Sequence, residues 1–147
     1  MKPRMRINRI EPCVYEAMQA ADKIIKGFEI EPRLKELIKV RVSQINGCGY
    51  CLNIHTGDAI KAGETAQRLY TLSAWRETAF FTEAEQAAFR LAEEVTQISA
   101  FGVSDETYNR AVELMGEQKT AQLILIIITI NSWNRIALAT HMRAGTD

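Results

Sequence analysis

The stretch that most constrains this chain is Leu123-Ile124-Leu125-Ile126-Ile127-Ile128-Thr129-Ile130. Eight consecutive Leu, Ile and Thr residues suit either a buried strand or a buried helix. No second strand signal exists elsewhere to pair with it. The flanking Gln122, Asn131 and Arg135 continue a helical reading. A helix that is apolar on every side must be covered on every side. It is therefore expected to be the central helix of the domain or part of a subunit interface. The run is too short for a bilayer, which needs about 20 apolar residues.

The rest of the chain is read as helical almost throughout. Val14, Met18, Ala21 and Ile25 mark one stripe over residues 11–26. Pro32 suits the first turn of a second helix, with Leu34, Leu37, Ile38, Val42 and Ile45 at helical spacing up to Asn46-Gly47. Cys48 to Ala62 follows, closed by Gly63, and then Glu64 to about Leu72. Thr82-Glu83-Ala84-Glu85 is a capping-box sequence. It opens a helix with Ala84, Ala87, Ala88, Leu91, Ala92, Val95 and Ile98 on one face. Ser104 starts another helix, to Met115-Gly116, and the last runs from Glu117 to about Ala139. The expected fold is all-α, one domain over residues 1–147, with six to seven helices. Trp75 to Phe81 is expected to be a connector, with Trp75 and Phe80-Phe81 packing beside the active site.

The 147 residues carry 18 basic and 18 acidic side chains, a formal net charge of zero. A neutral chain without a basic block is a poor candidate for non-specific nucleic-acid binding. Neutrality also removes self-repulsion and favours association, so a homo-oligomer is expected. The start is basic but no apolar segment follows it, so no secretory signal is read. A cytoplasmic location, no membrane and reduced cysteines are the corresponding expectations.

Three cysteines are an odd number, and two form a Cys-x-x-Cys. In a reducing compartment that spacing points to redox or metal chemistry. Cys48 and Cys51 are three apart and share a helix face, so a disulfide needs little backbone movement. A helix starting near Cys48 favours a thiolate there. His55 is four beyond Cys51, placing imidazole and thiol on one face, where His can take the thiol proton. Glu36 precedes Cys48 by twelve residues. On one straight helix that is about 18 Å. A reversal at Asn46-Gly47 instead brings Glu36 opposite about residue 59, one turn from His55. Taken alone, Glu36 between Lys35 and Lys39 reads as a solvated helix charge.

The pattern Glu36, Cys48-x-x-Cys51, His55 resembles the signature of the alkylhydroperoxidase D-like proteins of the carboxymuconolactone decarboxylase-like superfamily. Asn46-Gly47, Tyr50, Thr56, the Thr82–Val95 helix and Ile130-Asn131-Ser132-Trp133-Asn134-Arg135 are also similar to members of that family. The resemblance covers roughly residues 30–140. It implies an all-α fold, often trimeric or hexameric, and a thiol-dependent peroxidase without a bound cofactor. Carried over, Cys51 attacks a hydroperoxide and passes through a sulfenic acid, and Cys48 resolves it to a disulfide. Glu36 and His55 form the proton relay, and a dithiol reductant resets the pair. The helix-dipole argument by itself favours Cys48 as the thiolate, so both assignments of the nucleophile stand at this point. One position departs from the family's pattern. Some of its peroxidases carry a second His between the cysteines, where this chain has Tyr50, and a phenol of pKa about 10 is a poor proton shuttle near neutral pH.

Other readings attach to the same residues. One is a decarboxylase or lactone-processing enzyme, which needs no redox pair. Another is a redox-sensing or metal-binding module, with zinc on Cys48, Cys51, His55 and His141 as the form to weigh. The expectation is no metal, with His141 a solvated terminal side chain. Cys13 is read as a packing residue, Trp133 to Arg135 as an interface or pocket wall, and Glu93 and Glu94 as a solvated helix face.

Overall fold

The computed structural model describes residues 2–145, apart from the side chain of Phe101, and every regular element among them is helical. In order these are α1 (Ile7–Ile10), α2 (Pro12–Lys26), α3 (Pro32–Asn46), α4 (Gly49–Lys61) and α5 (Ala66–Thr71). A 3-10 turn (Leu72–Glu77) then leads to α6 (Glu83–Thr96), α7 (Ile98–Phe101), α8 (Asp105–Met115) and α9 (Glu117–Thr140). The all-α expectation holds, but nine α-helices are described rather than six to seven. The additional two, α1 and α7, are four residues each. One turn is too short to leave a periodic signature.

The boundaries follow local chemistry. Pro32 occupies the first turn of α3, where its missing N–H leaves no bond unmade. Gly47 ends α3 in the left-handed region at φ +69. The N–H groups of Gly47 and Cys48 close back on the carbonyls of Gln44 and Ser43, at 3.3 and 2.9 Å. That tight reversal is the one a helix-ending glycine permits. Thr82 and Glu85 form the capping box of α6, each side chain accepting from the other's backbone N–H.

α3 is the hub, packing on α4, α9 and α6, while α6 and α8 complete the layer against α9. Leu123, Ile126, Ile127, Ile130, Asn134 and Ala137 form the buried stripe of α9. The remaining apolar positions are not all covered: Leu125 and Ile128 are each 46% exposed. Within one chain, α9 is therefore central on one side and open on the other. It is 24 residues long, and an 18-residue window reaches a mean hydropathy of 1.5. By length and composition it is thus long and apolar enough to cross a membrane, which the eight-residue run alone did not suggest. It packs in the helical layer through its buried stripe.

Three side-chain expectations are corrected. Trp75 and Phe81 pack on Phe89 inside the core, with ring centroids 5.8 and 5.2 Å away, and Phe80 is exposed. None of the three lines the cavity described below. Glu93 is not a solvated charge. Its carboxylate accepts from Trp75 Nε1 at 2.8 Å, Arg41 Nε at 2.9 Å and Arg76 at 2.7 Å. Its neighbour Glu94 accepts from Ser104 and Thr107 and so ties α6 to α8. Cys13 is exposed rather than packed.

Candidate active site

The left-handed step at Gly47 turns the chain back so that α4 runs beside α3. Glu36, in the second turn of α3, then faces His55, in the second turn of α4. Glu36 Oε2 accepts from His55 Nδ1 at 2.8 Å. Its other oxygen, Oε1, accepts from Lys39 Nζ at 2.8 Å. The three side chains are only 15–17% exposed, so Glu36 is not the solvated charge its lysine neighbours suggested. Burial pushes the Glu36 carboxyl up, but the His55 bond and the Lys39 ammonium outweigh it and hold it below the usual carboxylate range. An ionised carboxylate only accepts, so Nδ1 of His55 carries a proton. In the neutral ring, Nε2 is then the proton acceptor, and it has no protein partner among the described residues.

Cys48 is the N-cap of α4 and its sulfur accepts from the Cys51 backbone N–H at 3.4 Å. The Cys51 thiol donates to the same sulfur. That bond, with the backbone N–H groups of Cys51 and Tyr50, outweighs burial and brings the Cys48 thiol down to about 7. The Cys51 thiol is pushed up by its bond to Cys48 and by burial, partly offset by a hydrogen bond from Asn134. The two sulfurs therefore share a proton, with the resting negative charge on Cys48. Both are buried, at 1% and 4% exposure. Only Cys51 reaches the adjoining cavity.

That cavity has a volume of about 590 Å³ and lies between α2, α3, α4 and α9. Glu36, Cys51, His55 and Tyr50 line it, as do Asp22 and Trp133. The size suits a small organic molecule and greatly exceeds what hydrogen peroxide fills. Tyr50, the departure from the family's pattern, is thus part of the wall. Trp133 is a pocket wall as read, whereas Asn134 is fully buried behind Cys51, bonded to Ser43 and Asn46. Arg135 binds Asn131 of its own helix and is structural.

The structure brings Glu36, Cys48, Cys51 and His55 together from two helices. It does not bring His141 to them. That residue caps α9 at φ +58, with Nδ1 3.3 Å from the Lys2 carbonyl. Among the described residues, Glu36, His55 and Asp58 are the one His/Cys/Asp/Glu group with ligand atoms within 4.8 Å of one another. Lys39 already supplies the positive charge at Glu36, and Asp58 is paired with Lys61 at 2.8 Å, so the donor set fits an ion-paired relay better than a cation. Lys39, Asn134 and Asp22 were missed as site residues from sequence. Lys39 had a signal, being three beyond Glu36 on one helix; the other two join the site only through packing.

A helical layer that presents one thiol of a Cys-x-x-Cys and a Glu–His pair to one cavity defines the class, and the chain belongs to the carboxymuconolactone decarboxylase family. The family's model matches residues 12–94. Within the wider superfamily it is an AhpD-like member. It is similar to an uncharacterized protein, YdfG, of Bacillus subtilis (strain 168), at 44% identity over 146 residues and 99% of each chain. It is also similar to a crystal structure from Agrobacterium tumefaciens of a protein of unknown function assigned provisionally as an antioxidant defence protein, AhpD. That match has a TM-score of 0.94 at 28% identity and covers 99% of this chain and 100% of the other. The debrominase Bmp8 shares the fold, with a TM-score of 0.80 at 23% identity over 88% of this chain and 70% of its own. The fold thus carries more than one enzymatic activity, and peroxidase or related chemistry is the activity the similarities suggest.

Proposed function

We propose that the chain is a thiol-dependent peroxidase that reduces organic hydroperoxides through Cys48 and Cys51, with Glu36 and His55 as the proton relay. The observation that carries this reading is the 2.8 Å Glu36–His55 bond opening on the same cavity as Cys51. In the resting pair Cys48 holds the negative charge and Cys51 the proton. Transfer of that proton from Cys51 to Cys48 makes the cavity-facing sulfur the nucleophile. The Cys51 thiolate attacks the terminal peroxide oxygen. The S–O bond forms, the O–O bond breaks, and the alcohol leaves as alkoxide. His55 takes a proton from solvent at Nε2 and passes it to the alkoxide, and Glu36 stabilises the transient imidazolium.

Cys51 is then a sulfenic acid. The Cys48 sulfur attacks it, a water leaves, and the Cys48–Cys51 disulfide forms. A dithiol reductant supplies two electrons and two protons to restore the thiols. The assignments of Cys51 as nucleophile and Cys48 as resolving residue follow from cavity access rather than from resting charge. The test is to add a hydroperoxide to the reduced protein and count thiols. One equivalent should remove two thiols and release one alcohol. If Cys51→Ser consumes peroxide as fast as the unaltered protein, the proposal fails.

A further inference from the structure

The inward stripe of α2 is Tyr15, Met18, Ala21, Asp22 and Ile25, one carboxylate among apolar and aromatic neighbours. Asp22 is only partly exposed and lines the cavity. Burial pushes its carboxyl above the usual carboxylate range, outweighing the help it receives from Trp133 and the nearby Lys39, His55 and Lys26. A carboxylate in such a place needs hydrogen-bond partners. Trp133 Nε1 donates to Oδ2 at 2.9 Å, and Trp133 is itself held edge-on by Tyr15, with centroids 5.0 Å apart. The carboxylate is therefore fixed in orientation. Its other oxygen, Oδ1, has no protein partner among the described residues and is not enclosed.

Lys26 acts on it through space, and the other charged groups around it are already engaged. Lys39 is bonded to Glu36. Lys35 donates to the carbonyls of Lys26 and Phe28, at 2.9 and 2.7 Å. Asp58 is turned to Lys61. Tyrosine hydroxyls in the wall can either donate or accept, so they select for neither. Beside His55 Nε2, which the reaction uses, Asp22 Oδ1 is an oriented, open acceptor of the cavity. We propose that Asp22 is the recognition residue of this cavity, and that the substrate is an organic hydroperoxide bearing a hydroxyl or N–H donor remote from its peroxide group. This rests on the peroxidase reading of the site.

The test uses two hydroperoxides of one skeleton: cumene hydroperoxide with a para hydroxymethyl group, and the methyl ether of that compound. The unaltered protein should show kcat/KM about three- to tenfold higher for the hydroxyl compound, as expected for one net hydrogen bond. In Asp22→Asn the amide oxygen still accepts from Trp133 while an NH2 group replaces Oδ1. The ratio should then fall to one or invert. A merely structural role for Asp22 would lower both values together and leave the ratio unchanged, which would overturn the proposal. Equal values in the unaltered protein would also overturn it, independently of how the variant folds. If neither hydroperoxide is consumed, the peroxidase reading fails on its own. Recognition is then read by calorimetric titration with 4-isopropylbenzyl alcohol and its methyl ether. Tighter binding of the alcohol upholds the role of Asp22, and equal binding overturns it.

Discussion

Cys48 and Cys51 compete for one proton, and their mutual bond, helped by the backbone, leaves it on Cys51. The Cys51 thiol, and after it the N-terminal N–H groups of α4, lower the Cys48 thiol to about 7. The group's pKa is depressed in the folded protein, so its thiolate is present above about pH 7 and lost as pH falls through that value. The absorbance of the reduced protein at 240 nm should rise with a midpoint near 7, and the rate of peroxide reduction should climb over the same range. Cys48→Ser should abolish that step, because the remaining thiol lies in a buried, apolar place that holds it protonated. Glu36→Gln leaves His55 without the charge that stabilises its imidazolium. A fall of about 10²-fold in kcat/KM is expected, the size of effect general acid–base catalysis supplies. Steady-state rates of the variant check it, with a circular dichroism spectrum to establish that α3 and α4 still pair. Cys48, Cys51 and His55 were legible from spacing alone. Glu36 was singled out by the family resemblance, because between Lys35 and Lys39 it reads by itself as a solvated charge; the turn at Gly47 only put it within reach of His55.

At the scale of elements, the site depends on how α3 ends. Gly47 at φ +69 reverses the chain within one residue. A Cβ there would meet nothing within 4 Å, so the penalty for Gly47→Ala is conformational alone. It should cost ~1–2 kcal/mol, the usual left-handed penalty, measured as a lower urea midpoint at unchanged slope. Peroxide turnover should suffer with it, because α4 would start from a displaced Cys48. Asn134 supports the same junction from α9. Its amide is fully buried and bonded to Ser43 and Asn46. Asn134→Ala leaves those partners unmatched and should destabilise by about 1–3 kcal/mol. The long helices were legible because their caps and stripes repeat. The one-turn α1 and α7 were not, and neither was the burial of Glu93, because its three donors come from distant or irregular segments.

For the whole molecule, α9 raises the question of assembly. Leu125 and Ile128 lie one turn apart on its open face, on a chain of zero net charge. A homo-oligomer covering that face is the expected state, and light scattering coupled to size exclusion checks it. Leu125→Lys with Ile128→Lys should shift the protein to a smaller species, and a monomer in the unaltered protein would end the idea. The sequence by itself determined the helical class, most helix boundaries and the pairing of two cysteines with a nearby His. These are matters of local periodicity, caps and i,i+3 or i,i+4 spacing, which one helix settles without reference to another. Tertiary structure fixed the bond between Glu36 and His55, the buried place of Asn134 between Ser43 and Asn46, and the cavity wall that Asp22 and Trp133 share with the thiol. Those contacts join side chains 19 to 111 residues apart. Chain reversal and the packing of α2 and α9 across the site bring them together, and neither is written in any single segment.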